Sequence, residues 1–537
     1  MKPKNDRYLR PGGAFLKQNP VATLLIVAVG LFSIILCVIR PSLWWDPSLG
    51  FLVSHSMSRG APFNCMRIVS HADINRDKDL FYAMYTPGQY LIPDWLTHFG
   101  LSLGSSVTLL LIAAMALGLL GYYLLYFRVL GFSKNISLIA CAVILFTRQG
   151  THSYLQYIGG SLLQFASFPY FLMIAIALVS RRKLYLFGLP LLFLLGAGLK
   201  LSYAIIALSV VGWLFFEVLA EWRQKRTYTR LPVFAAAAGG YALFHVCLWF
   251  FYTSRGWTPG SVRIAALHLR DLLLAFSYAI ASLCAGIVDL FWFLAGLGLP
   301  LNFLMLRRQA HPIPWSWIGI TIAIALISGA LVFQIWKRSS GLYRGLLTGF
   351  VLIHIPILTC LIAQGSVSIE VRHFWPCSAL VLPGLLAAGR GARKRYLVPG
   401  AMVLVTALVY GLCSYSAAAL RTHEYGRSRL GIVVPGSSQR VVSQLEQLDD
   451  RDPGRRVVFV ILDPELAMLV LHHPVICLND PYKGKGPYSG VADRVIAVIP
   501  VDRITPAHVA KLFPDEPQWH WEVVDKYYFG QVDRRSD

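Results

Sequence analysis

The sequence predicts a polytopic α-helical membrane protein with a small α/β domain at its C-terminal end. Three observations lead there. Of the 537 residues, 56% are hydrophobic and only 14% are charged, whereas soluble domains carry about 25% charged residues. Apolar runs long enough to cross a bilayer, or nearly so, recur through the first 420 residues. After residue 420 they give way to charges, prolines and short β-rich stretches. The mean hydropathy of +0.56 fits the same class.

The chain opens on a basic, polar stretch (Lys2, Lys4, Arg7, Arg10, Lys17) followed by the apolar run Val21–Ile39. That run is too long for a signal-peptide core and ends without a small-residue cleavage site. It reads as an uncleaved anchor with a cytoplasmic N-terminus. Further runs occupy 105–127, 136–152, 157–180, 184–199, 202–220, 232–252, 272–288, 290–306, 315–335, 345–363, 374–389 and 396–418. The 184–220 block is too long for one helix. Arg181–Lys183 precede it and Glu221–Arg226 follow it, so a hairpin turning near Gly198–Ser202 keeps both basic ends inside. Splitting 272–306 near Asp289 puts the Lys337–Arg344 and Arg390–Arg395 clusters inside as well. The expectation is thirteen spans with the C-terminus extracytoplasmic. Residues 364–373 then share a face with a large first outside loop at 40–104.

Residues 421–537 read as a small soluble α/β domain, set against a transmembrane domain at 1–420. Strand-like runs stand at RRVVFVIL, HPVICL, DRVIAVIP and WHWEVVDKYYF, with candidate helices at 437–448, 464–471 and 505–513.

The balance of 49 Lys+Arg against 27 Asp+Glu, a net +22, fits basic cytoplasmic loops facing anionic headgroups. With no basic-aromatic motif, a nucleic-acid partner is excluded. The nine cysteines show no C-x-x-C and no metal spacing with histidine, and read as small buried hydrophobes.

The polar groups beside the spans are the candidates for chemistry, because charge next to hydrocarbon stays wet, pairs or reacts. Asp46, in WWDP just past the first span, fits either a turn in an interfacial tryptophan belt or a general base at the bilayer surface. Tyr85 to Asp94, with two prolines among aromatics, reads as a broken amphipathic helix on the interface that could wall a cleft. Asp94 is a second carboxylate candidate. Asp73, Asp77 and Asp79 beside Arg76 and Lys78 read as a solvated charged turn. Lys200, at the apex of the apolar hairpin, either snorkels to the headgroups or offers a cation to a phosphate. Glu370, Arg372 and His373 precede a span directly. Arg372 suits a phosphate clamp, the Glu-Arg pair could equally satisfy itself, and His373 fits a packed polar residue.

These patches resemble the GT-C superfamily of polyprenyl-phosphate-sugar-dependent membrane glycosyltransferases, in particular the aminoarabinose-transferase-like branch. The resemblance rests on an Asp after span one, a proline-aromatic segment before span two, the Leu/Gly-rich GLKLSYA around Lys200, and Glu370-Val-Arg372-His373-Phe-Trp-Pro376 in place of E-x-R-Y-x-x-P. The chain has Thr86-Pro87-Gly88 where the family carries a doubled proline. The resemblance implies a donor sugar on a polyprenyl phosphate, an extracytoplasmic lipid, glycan or protein acceptor, and location in the cell inner (plasma) membrane among membrane lipids. It also implies an inverting transfer with Asp46 as base and Lys200, Arg372 and Arg59 steadying the leaving phosphate. Tyr85, Asp94, Glu370 and His373 complete the expected substrate contacts. No cofactor is implied with certainty. A divalent metal is left open, since no ligand cluster of defined spacing stands in the sequence. The competing readings are a lipid-linked sugar transporter or flippase and an O-antigen ligase or polymerase. A transporter places ionisable groups near the midplane, and here only Asp289 and Glu217 approach that position.

Overall fold

The computed structural model describes residues 19–82, 86–180, 184–255, 269–287, 315–339, 341–363, 371–390, 394–451, 455–479, 487–515 and 518–533. Within these, the apolar runs are helices, as they must be where lipid offers the backbone no partner. α1 (Pro20–Ile39) starts on Asn19, whose side chain accepts from the Ala22 amide at 3.3 Å. Its outer face, Leu24, Ile34 and Val38, is more than half exposed, a surface suited to lipid rather than water. There follow α2 (Trp45–Ser58), α3 (Gly88–Thr97), α4 (Leu103–Leu124), α5 (Lys134–Phe146), α6 (Arg148–His152), α7 (Gly160–Ser180), α8 (Tyr185–Leu199), α9 (Tyr203–Lys225) and α10 (Leu231–Thr253). Then come α11 (Leu269–Ala285), α12 (Trp315–Arg338), α13 (Gly341–Gly349), α14 (Ile355–Ala363), α15 (Val371–Arg390) and α16 (Lys394–Arg421). Among the described residues, eight helical segments are long and apolar enough to cross a membrane. The chain is a multi-pass membrane protein. The expected span at 290–306 and the turn at Asp289 lie outside the described residues, as do the Arg181–Lys183 cluster and the first eighteen residues. The 184–220 hairpin is present as α8 and α9, turning at Lys200–Ser202.

Among the described residues the strands form three sheets, one of which joins the loops. β1 (Ser42–Leu43) lies parallel to β4 (Gln156–Tyr157) and to β6 (Val433–Val434), and β6 pairs antiparallel with β5 (Gly426–Arg427). Backbone bonds from Trp44 N to Tyr157 O (3.0 Å) and Val433 N to Pro41 O (2.9 Å) therefore lace the chain after α16 to the exit of α1. Beside this seam, Gly104 N donates to Leu430 O at 2.8 Å. A Cβ on Gly104 would stand only 2.0 Å from Gly431 O, so only glycine allows the approach.

The C-terminal residues form α17 (Gln439–Asp449), β7 (Val457–Ile461), α18 (Pro464–Ala467), β8 (Val475–Cys477), β9 (Arg494–Pro500), α19 (Pro506–Leu512), β10 (His520–Val524) and β11 (Tyr527–Asp533). The sheet order is β10-β11-β9-β7-β8, with β7 parallel to both its neighbours and the β9-β11-β10 edge antiparallel. Alternation along β7 sends Val457, Phe459 and Ile461 into the core continuous with the membrane helices. Val458 and Val460 face a second cluster with Ile74.

Ile74 belongs to the first loop, and here the structure departs from the sequence reading. Asp77–Phe81 is not part of a charged turn but β3, paired antiparallel with β2 (Cys65–Val69). Opposite charges across the hairpin, Arg67 and Asp79 at 3.1 Å, stabilise the pairing. Only the tip, with Asp73 and Arg76 at 3.2 Å, is the solvated turn expected. That tip docks on the C-terminal sheet. Ile74 N donates to Ser489 O at 2.9 Å, and Arg456 pairs with Asp77 at 2.7 Å.

Candidate active site

Asp46 sits in the first turn of α2, where the helix dipole favours an anion. The next residue, Pro47, packs against the turn into α7. Gly159 there has φ +58°, and a Cβ on it would lie 3.0 Å from Pro47 Cγ and 2.6 Å from Gln89 Oε1. Glycine is required both for the left-handed backbone and for the space. Gln89 of α3 holds the junction: its Oε1 accepts from Gly160 N at 3.3 Å, and its carbonyl accepts from the Tyr157 hydroxyl. The start of α3 is pressed onto the end of α8. Thr86 Oγ1 donates to Leu199 O at 3.0 Å, and a Cβ on Gly88 would meet Gly198 O at 2.7 Å. The glycine after Pro87 is what lets these helices touch.

This packing delivers Lys200 to the N-terminus of α7. Its Nζ donates to Ser161 Oγ and Gln164 Oε1, both at 3.0 Å. From the other side, α15 brings Arg372, whose Nη1 donates to Asp46 Oδ2 at 3.2 Å. The pair is partly shielded, with side chains 16% and 29% exposed. His373 follows on the same turn. Its carbonyl accepts from His354 Nε2 at 3.3 Å, and both Lys200 and Arg372 lie within electrostatic range of its ring. A narrow cleft lined by Ser161, Gln164, Arg372 and Trp375 opens beside them. Four sequence candidates, Asp46, Lys200, Arg372 and His373, thus meet where α2, α7, α8 and α15 converge.

The others are placed elsewhere. Arg59 caps the far end of α2, roughly 20 Å from Asp46 at 1.5 Å per residue. It lines a separate cavity of about 400 Å³ with His55, Arg67, Asp77 and His472. Asp94 lies on α3 beyond Gln89, its carbonyl accepting from Thr97 Oγ1 at 2.6 Å and His98 Nδ1 at 3.0 Å. Tyr85 and Glu370 lie outside the described residues.

Sequence reasoning missed a group from the C-terminal sheet. α18 packs against α2 and carries Glu465, which faces a cavity of about 290 Å³ walled on the other side by Trp45. Burial pushes the Glu465 carboxyl up to about 7. Asp463 and Asp46 add to the rise, while Arg503 and its own backbone amide oppose it. The one signal in the sequence was Asp463-Pro-Glu, a helix start, and nothing in it pointed at Asp46. Among the described residues, three metal-ligating side chains converge only at Asp449, Asp450 and His472. There Arg429 binds both carboxylates, which suits a structural ion pair better than a metal.

No known family model matches the chain, and no curated protein sequence matches it. Among solved structures, it is similar to ArnT from Cupriavidus metallidurans bound to undecaprenyl phosphate. The TM-score is 0.54 at 12% identity, over 96% of this chain and 98% of that one. The apo structure of the same protein gives a TM-score of 0.41 at 14% identity over the same shares. The first likeness shows that this chain shares the fold of that protein.

Proposed function

We propose that the protein is an integral-membrane glycosyltransferase that moves a sugar from a polyprenyl-phosphate donor to an extracytoplasmic acceptor. The observation that carries this reading is a narrow cleft lined by Arg372, which pairs with the Asp46 carboxylate, and by Ser161 and Gln164, which hold the Lys200 ammonium. Its support includes the ArnT-like fold and the undecaprenyl phosphate bound to that neighbour. Asp46 takes the proton of the acceptor's nucleophile as its lone pair attacks the anomeric carbon from the face opposite the phosphate. The bond from that carbon to the phosphate oxygen breaks, the phosphate leaves with the electron pair, and the anomeric centre inverts. Arg372 and Lys200 stabilise the charge growing on the leaving phosphate, the term fixed cations lower most.

The ion pair also gives the site a resting state. A phosphate is a better bidentate partner for Arg372 than one carboxylate oxygen. Donor binding draws the guanidinium off Asp46 and frees the base only when there is something to transfer. In this reading residues 1–420 are the membrane domain of an inner-membrane protein and residues 421–537 cover the site from outside.

The test is to incubate purified protein with a panel of polyprenyl-phosphate sugars and follow donor consumption. Consumption of at least one donor is expected, and none with any of them sinks the proposal. Reporter fusions at residues 340 and 430 check the orientation. A cytoplasmic signal at 430 would remove the C-terminal residues from the acceptor side.

A further inference from the structure

The cavity that holds Trp45 and Glu465 is lined by that one residue of α2 and otherwise by residues of the chain after α16. We propose that it is the acceptor subsite and that it takes a neutral, hydroxyl-rich sugar ring. The inference rests on the reading of Asp46 as base and names the acceptor class for that same site.

Position is the first argument. Trp45 immediately precedes Asp46 in the first turn of α2, and Glu465 lies within electrostatic range of Asp46. Arg372, on the other side of Asp46, lines the narrow cleft instead. Asp46 thus pairs with an arginine of the narrow cleft and directly follows a tryptophan of a separate, larger cavity. The proposal puts the acceptor in that larger cavity and the leaving phosphate by the cleft of Arg372.

The lining decides the class. At about 290 Å³ the cavity is near the lower end of small-ligand sites, about 300–1,000 Å³. Glu465 and Asp502 offer acceptors there, while Arg503, Lys526 and Asn479 offer donors. An anion would meet the carboxylates and a cation would meet the basic pair. A hydroxyl both donates and accepts, so a polyol uses both halves. Trp45, 40% exposed, adds a flat apolar face on which the C–H face of a sugar ring lies. The far wall is fixed in advance. Tyr527 donates to Asp463 Oδ2 at 3.4 Å and stands 3.0 Å from Ser437 Oγ, and Arg503 holds Asp463 Oδ1 at 3.0 Å. Such preorganisation spares a weak ligand the entropy of ordering its site.

In the transfer, the bound sugar's O–H loses its proton to Asp46 while its oxygen bonds to the donor's anomeric carbon. The carbon–phosphate-oxygen bond breaks, and the electron pair leaves on the phosphate.

The test uses the full-length protein in phospholipid nanodiscs. Saturation-transfer NMR reads binding of the methyl glycosides of glucose, mannose and galactose and of N-acetylglucosamine, with glycerol as control. At least one sugar should bind above glycerol. Trp45→Ala should weaken it roughly tenfold, the scale of one lost stacking contact, and Trp45→Phe should restore most of it. Glu465→Gln should weaken it less, and melting temperatures report whether each variant is folded. Asp46→Asn should bind the sugar as wild type does. No sugar above glycerol, or binding indifferent to Trp45→Ala in a folded protein, overturns the subsite. If the sugar binds as expected while Asp46→Asn still transfers, the subsite stands and the assignment of Asp46 as base falls.

Discussion

Arg372 donates to Asp46 across 326 residues of chain, from the first turn of one helix to the first turn of another. A shielded ion pair between two helix starts is weak evidence for stability, because desolvating the two charges offsets much of their attraction. Its position beside Lys200 and two cavities points to chemistry.

Asp46→Asn keeps the size and shape of the side chain and removes its basicity. Sugar transfer should fall by about 10²–10⁴, the usual contribution of a positioned base. Expression, membrane insertion and donor binding should be retained. A variant that transfers at the wild-type rate would remove Asp46 from the mechanism.

Arg372→Lys retains the charge and loses the planar fork. Donor KM should rise about tenfold with a smaller loss in kcat. Arg372→Ala, which removes a donor aimed at the leaving group, should cost about 10²–10³ in kcat/KM. Equal kinetics for the two variants would mean that charge alone matters and that the phosphate is not gripped through two oxygens.

Lys200→Met preserves the stem that packs on Gly160 and deletes the ammonium held by Ser161 and Gln164. The expected result is about a 10–100-fold drop in kcat/KM with an unchanged melting temperature. A large fall in stability with intact turnover would show instead that Lys200 serves the packing of α7 on α8.

Gly104→Ala should loosen the seam that ties the chain after α16 to α4, without touching the cleft. The added methyl cannot occupy space 2.0 Å from Gly431 O, so either the seam opens or the backbone shifts, at about 1–3 kcal/mol. Faster limited proteolysis between residues 421 and 440 is the readout. A proteolysis pattern identical to wild type would contradict the seam.

What the sequence made legible follows from contrast. A lysine in Leu/Gly-rich hydrocarbon or an aspartate after two tryptophans stands out, so Asp46, Lys200 and Arg372 could be named as candidates before any coordinates. Glu465 could not. It sits in a domain where carboxylates are ordinary, and its nearness to Asp46 arises only from α18 packing on α2. The same limit applies to β1, β4 and β6. Two-residue strands have no period, yet they knit the two ends of the chain together. In the β2–β3 hairpin, Asp77, Lys78 and Asp79 hide the alternation that marks a strand. The partner of Asp77, Arg456, is too distant in sequence for pattern reading to find.

The environment of Glu465 ties stability to pH. Its carboxyl is raised from 4.5 to about 7, chiefly by burial. Asp463 and Asp46 face it with like charge and Arg503 opposes them, while Asp502, Lys526 and Tyr527 line the same cavity. Between those two values the folded protein holds a proton that the unfolded chain has released. Stability therefore falls as pH rises through that window, and the loss is complete above about pH 7. At about 1.36 kcal/mol per unit the full shift would be at most roughly 3 kcal/mol, and partial exposure reduces this to about 1–2 kcal/mol. Glu465→Gln removes the titration while keeping the hydrogen-bonding shape. Its melting temperature should exceed that of wild type at pH 8, and the advantage should shrink steadily towards pH 4.5. The neighbouring Asp463 titrates in both proteins, so the difference between them isolates Glu465. A gap between the two curves that stays constant from pH 5 to pH 8 would mean that Glu465 is as well solvated as any surface carboxylate.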